Sequence, residues 1–136
     1  MTTKQILFIK TIATDVSLYF PFVPTDVAYF IGCQSALESH YGLSDLANVA
    51  HNFFGMKLPK RRVNLAHSFY RDYAAYYSRK QSVLDLLLWV TSQGDKYNLL
   101  SIDGYIDLLL SHGYAEDKQY IDKITSIYSQ FKSIQK

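Results

Sequence analysis

The run Ser82–Val90 reads Ser-Val-Leu-Asp-Leu-Leu-Leu-Trp-Val, and it constrains the rest of this 136-residue chain more than any other stretch. Ser78-Arg-Lys-Gln81 before it has the capping-box pattern that opens a helix, and Gly94 stands where that helix would stop. Wound as a helix, Val83, Leu84, Leu86, Leu87, Leu88, Trp89 and Val90 leave hardly a polar side. Such a helix must be covered nearly all the way round, so the rest of the chain has to surround it. This spacing predicts a central, fourth helix.

The surrounding segments are also helical in pattern. Ile6, Leu7, Ile9, Ile12, Ala13 and Val16 recur at helical spacing between Thr3 and Phe20, and Pro21 and Pro24 end that segment. Thr25 is the expected N-cap of a second helix, with Asp26 favourable in its first turn and Gly42 closing it after Tyr41. Ser44 caps a short third helix, Asp45–Ala50; a fifth runs Ile102–Ser111 and a last one from Glu116 to Phe131. Residues 55–77 have no helical period and are rich in aromatic and basic side chains, which predicts a hairpin or loop lobe. A lobe of that length inserted in a helical domain usually serves function. The expectation is one domain, residues 1–136, mainly α, with about six helices and a small β-hairpin lobe.

Composition narrows the function classes. A net charge of +2, with no basic run beyond Lys60-Arg61-Arg62, argues against nucleic acid as a partner. One cysteine, Cys33, excludes an internal disulfide and reads as a small core residue. His40, His51, His67 and His112 lack ligand spacing, so neither metal nor other cofactor is expected. The N-terminus does not read as a signal peptide and no stretch is apolar for long enough to span a bilayer. The chain is therefore expected to be a soluble monomer, off the membrane, with no export address of its own. Twelve tyrosines provide flat faces with polar tips, suited to sugar rings or bases as well as to a core.

One residue breaks the pattern. In the second helix Val27, Phe30, Ile31, Leu37 and Tyr41 form an apolar stripe, and Glu38 falls inside it, one turn beyond Gln34. A carboxyl on a core-facing surface costs free energy unless it is paired or protonated. A half-buried acid near a helix exit is the arrangement of a general acid, although an acid paired with an arginine is the more common outcome.

Four segments then fall into one order: Ala36-Leu-Glu38-Ser39; Asn52-Phe-Phe54-Gly-Met-Lys57; Tyr73-Ala-Ala-Tyr76-Tyr-Ser78 leading to Ser82-Val-Leu-Asp85; and Gly113-Tyr114-Ala-Glu-Asp-Lys-Gln-Tyr120. The series resembles the glucosaminidase family of peptidoglycan hydrolases, glycoside hydrolase family 73, across about Val27 to Ile127. The resemblance implies a lysozyme-like α+β fold and an endo-β-N-acetylglucosaminidase acting on the glycan strands of bacterial cell wall. It implies Glu38 as general acid, with Asn52, Phe54, Tyr76 and Tyr120 on the substrate side and Tyr114 facing the cleft near the acid. His51 stands where the family usually has a first Asn, and Asp72 is the only acid between Asp45 and Asp85.

The second catalytic group therefore stays open. Asp72 could activate water, the substrate's own N-acetyl group could attack, or one Glu could serve twice, as in a lytic transglycosylase. An inactive wall-binding module is a further alternative. Without the resemblance, Tyr114 and Tyr120 read equally as core tyrosines, Asp72 as a solvated loop residue, Asp85 as a local helix partner, and Ser39 as support for the Glu38 backbone.

Overall fold

The computed structural model describes the chain except residues 60, 61, 63, 94, 95, 115, 116 and 136, and the side chains of 96 and 97. Among the described residues six α-helices surround one core, and a two-stranded antiparallel sheet stands to one side. The helices are α1 Thr3–Tyr19, α2 Thr25–Ser39, α3 Asp45–Ala50, α4 Arg79–Ser92, α5 Ile102–Ser111 and α6 Tyr120–Ile134; the strands are β1 Ser68–Tyr70 and β2 Tyr73–Ala75. A 3-10 turn, Lys96–Leu99, precedes α5 and was not anticipated.

Local chemistry explains most boundaries. Thr2 and Gln5 form a reciprocal capping box at α1, and Ser44 and Ser101 accept from Ala47 and Gly104 N–H to open α3 and α5. The box at α4 is shifted: Ser78 accepts from Gln81 N–H, but Gln81 Oε1 accepts from Tyr77 N–H instead of returning to Ser78. Thr25 is not the cap of α2 but its first residue; Pro24 is the cap and offers no side-chain bond. The start of α6 moves to Tyr120 because Asp117 holds a turn ahead of it, its Oδ1 accepting from Gln119 N–H and its carbonyl from Tyr120 N–H. The expected start at Glu116 and the stop at Gly94 lie outside the described residues.

Helix α4 is buried as expected, with no exposed residue from Ser82 to Val90. The hub, however, is α2, which packs against α1, α5 and α6 and buries ten of its fifteen residues. Its surface is not a single apolar stripe but is covered all round, through small residues that permit close approach. A Cβ on Gly32 would lie 2.7 Å from the Ile9 carbonyl oxygen of α1. A mid-helix glycine costs about 1 kcal/mol relative to alanine, and here that cost is offset by α1 lying directly on it. Cys33 is fully buried in this core, and burial raises its thiol to about 12.

The lobe hangs on polar anchors. Lys57 bridges to Tyr73, placing residues 56–58 beside β2, which pairs with β1 through Phe69–Ala74 and its neighbours. Arg62 meets Asp85 of α4 at 2.8 and 3.2 Å, while Tyr76 Oη and Leu65 N–H also donate to that carboxylate. Asp85 is thus no local cap: it ties the lobe to the helix core across 23 positions of sequence. Lys60 and Arg61 lie outside the described residues. Arg62 itself is largely covered, its side chain 15% exposed.

Candidate active site

The chain reverses immediately after Glu38. Helix α2 ends at Ser39, and His40, Tyr41 and Gly42 all take left-handed backbone conformations. Two of the three are not glycine, so the turn carries strain that its hydrogen bonds must hold. The Ser39 hydroxyl donates to the Ser35 carbonyl and accepts from Gly42 N–H, which fixes the turn as expected of a supporting residue. The Ser35 hydroxyl donates to the Phe53 carbonyl at 2.8 Å, and Phe53 N–H donates to Ser82 Oγ at 3.0 Å. The 52–56 turn is thereby clamped between α2 and α4, against the end of α2 that carries Glu38.

Asn52 builds that turn. Its amide donates to the Met56 and Ala74 carbonyls at 2.8 and 2.9 Å, and its Oδ1 accepts from Phe54 and Met56 N–H. The turn needs Gly55, whose φ is +65°. A Cβ there would also sit 2.8 Å from Glu38 Oε2. The acid's carboxyl lies directly against the bare backbone of the turn.

Glu38 is half-buried, and burial raises its pKa. The Tyr120 hydroxyl facing it draws the value part of the way back. No charged side chain contributes to this shift among the described residues. Tyr114 donates to the Phe54 carbonyl at 2.6 Å and stacks on Tyr120, with ring centroids 5.9 Å apart. Its ring is partly exposed while its hydroxyl is enclosed, and burial together with the Glu38 charge pushes its ionisation well up. A phenol so placed stays neutral. It can polarise or orient a substrate group, but it does not act as a base near neutral pH.

Beside the turn a cleft of about 340 Å³ opens between Gly55–Pro59 on one side and Trp89 and His112–Tyr114 on the other. The Trp89 ring meets Tyr114 edge-on, with centroids 5.1 Å apart, and leaves an indole in the cleft wall. Trp89 was not singled out from sequence, where an aromatic in a helix apolar on all sides is indistinguishable from core.

The structure brings Glu38, Tyr114 and Tyr120 together. It places none of the expected substrate contacts on a surface: Tyr120 is itself only 7% exposed, with its hydroxyl enclosed. Phe54 is 0% exposed and Tyr76 1%, the latter donating its hydroxyl to Asp85, so neither side chain reaches a ligand. Asn52, at 1%, uses its amide wholly on backbone. These three build the turn and its support, and none of them lines the cleft, whose wall on this side begins at Gly55. Asp72 is exposed beside left-handed Arg71 at the hairpin tip and lines a neighbouring hollow that shares Lys57, Leu58 and Pro59 with the cleft.

Known proteins give this geometry a context. The catalytic domain of the autolysin Auto from Listeria monocytogenes is similar in structure, with TM-score 0.65 and 21% identity over 99% of this chain and 88% of that one. A chain described as part of a type VI secretion system effector–immunity complex from Pseudomonas protegens has TM-score 0.67 and 15% identity, covering 96% of each chain. At these identities the likeness speaks for the fold, which is the lysozyme-like one. No characterised protein matches by sequence comparison. Residues 27–133 match the family described as glucosaminidase, mannosyl-glycoprotein endo-β-N-acetylglucosaminidase. The match spans α2 through most of α6, including Glu38, the clamped turn and both tyrosines, and the chain therefore belongs to the glucosaminidase family of glycoside hydrolases.

Proposed function

We propose that this chain is an endo-β-N-acetylglucosaminidase that cuts the glycan strands of bacterial peptidoglycan, with Glu38 as general acid. The observation that carries the reading is the state of Glu38: a half-buried carboxyl with a raised pKa, pressed against Gly55 beside an aromatic-walled cleft. Burial keeps the proton on this carboxyl at pH values where an exposed one has lost it, and a glycosidic oxygen needs a proton as it leaves. The Trp89 indole offers a face for a sugar ring, and exposed Lys57 puts positive charge at the cleft mouth, where acidic stem peptides would pass.

The groups facing Glu38 are phenols, Tyr114 and Tyr120. This favours the substrate's acetamido group as the partner that meets positive charge at the anomeric carbon. The Tyr114 proton is committed to Phe54 and its hydroxyl is enclosed, so it is the ring lining the cleft that packs on the acetamido group and aims its carbonyl at that carbon. Asp72, at the hairpin tip, is the competing base. In this reading the enzyme acts as a monomer on the cell wall.

Purified protein should clear a peptidoglycan suspension and release reducing N-acetylglucosamine ends, and Glu38→Gln should abolish both. Anhydro-muramyl ends would assign a lytic transglycosylase instead. Clearing by Glu38→Gln at the wild-type rate would remove Glu38 from its role. An Asp72→Asn variant that keeps its rate supports the acetamido route, and one that loses it supports Asp72 as base.

A further inference from the structure

Behind the acid lies a row of buried polar side chains that the reaction itself does not require. Gln34 is one helical turn before Glu38 on α2 and is 0% exposed. Its Oε1 accepts from the hydroxyl of Tyr105, a fully buried residue of α5. Its Nε2 is one of two buried side-chain polar atoms without a hydrogen-bond partner among the described residues; the other is the Tyr120 hydroxyl. The two orphans face each other, and Tyr120 in turn faces Glu38. Neither orphan closes a hydrogen bond among the described residues, so the row is assembled but not closed.

The donor count gives the row a direction. Tyr105 has one proton, and the Gln34 oxygen takes it. The amide nitrogen, a donor only, is then left toward Tyr120, whose oxygen can accept. With its oxygen engaged by the amide, the Tyr120 proton is left to point at the Glu38 carboxyl, which it faces. If the Gln34 amide were flipped, Tyr120 would donate to Gln34 and the buried Tyr105 proton would be left without its acceptor. A row of donors ending on a Glu38 carboxyl oxygen avoids that loss.

We propose that Gln34 and Tyr105 are positioning residues for the general acid: they orient the Tyr120 hydroxyl toward Glu38 and thereby set how tightly Glu38 holds its proton. This rests on Glu38 being the acid, and the titratable groups that meet it come from several elements. Tyr114 and Tyr120 come from the segment after α5 and the start of α6, with Tyr105 on α5 and Tyr76 after β2 behind them. All are phenols driven upward by burial, so they remain neutral while Glu38 titrates.

Tyr105→Phe and Gln34→Met test the row with little change of volume. Losing it withdraws a donor from the carboxylate form, so the alkaline limb of the kcat profile should move up by about one pH unit, with KM within about twofold of wild type. The double variant should move no further than either single one, because both cut the same chain. A ¹³C titration of the Glu38 carboxyl in each folded variant reads the same shift without substrate. Unchanged carboxyl titration in both variants, accompanied only by a lower Tm, overturns the proposal and leaves Gln34 and Tyr105 as packing. An active Glu38→Gln variant would instead remove the catalytic reading, while the carboxyl titration would still report on the row.

Discussion

Asp85 and Glu38 are both carboxyl groups set into the helical core, and they are solved in opposite ways. Asp85 is fully buried and fully engaged, by a two-pronged Arg62 guanidinium, the Tyr76 hydroxyl and the Leu65 amide. Glu38 is less buried, yet its neighbours are a glycine backbone and phenols, with no cation contributing to its charge balance among the described residues. A charge sunk that deeply is retained only with such partners, and Asp85 has them. Glu38 does without, which favours its protonated form. One carboxyl fastens the lobe to the helices; the other, facing a glycine backbone and phenols, is left easier to protonate.

The largest effect should come from the underserved group. Glu38→Gln should lower kcat by about 10²–10⁴-fold, the usual worth of a positioned acid, while leaving the far-UV CD spectrum unchanged. Asp85→Asn should do the reverse. It strands Arg62 and weakens the Tyr76 bond, and one-sided removal from a buried pair costs about 3–5 kcal/mol. Urea denaturation measures this, and the fraction still folded should turn over within about threefold of wild type. Equal loss of kcat per folded molecule in both variants would break the contrast.

Gly55→Ala sharpens it from the other side. Forcing a side chain into φ +65° costs about 1–2 kcal/mol, and the new methyl would meet Glu38 Oε2 at 2.8 Å. The carboxyl must then move, so kcat should fall about tenfold, beyond what the stability loss explains. Activity that falls only in step with the folded fraction would show that the contact between Gly55 and the acid does not set its position.

How much of this was legible in the sequence depends on whether the cause is local. Helices α3 and α5 match their expected bounds because caps such as Ser44 and a short apolar period suffice. The half-buried position of Glu38 was legible for a similar reason, as an acid among Ile31, Leu37 and Tyr41, although that pattern alone favoured an ordinary paired acid. The hub role of α2 was not, because Ala28, Gly32, Cys33 and Ala36 weigh little in an apolar count. Their smallness is what lets α1 approach. The same blindness to distance hid the Arg62–Asp85 anchor and gave Asn52, Phe54 and Tyr76 a surface role. A motif marks which residues matter to a site, but burial decides whether they touch its ligand or build its wall.

The smallest effect is the most diagnostic of the comparison. Glu38 has a folded-state pKa above that of the unfolded chain, because burial disfavours its charge. Below the unfolded value the carboxyl is protonated in both states and burial costs no ionisation energy. As pH rises past that value the unfolded chain ionises first and gains stability relative to the fold. The penalty grows until the folded pKa is passed and is constant above it. Glu38→Gln should therefore raise Tm slightly at neutral pH, with the gain shrinking toward zero as pH falls below the ordinary carboxyl range. The acid keeps its proton at a cost in stability, and the variant that loses the activity should recover it. A Tm difference that stays flat across this range would mean Glu38 is no harder to ionise than an exposed carboxyl, and the contrast with Asp85 would lose its chemical meaning.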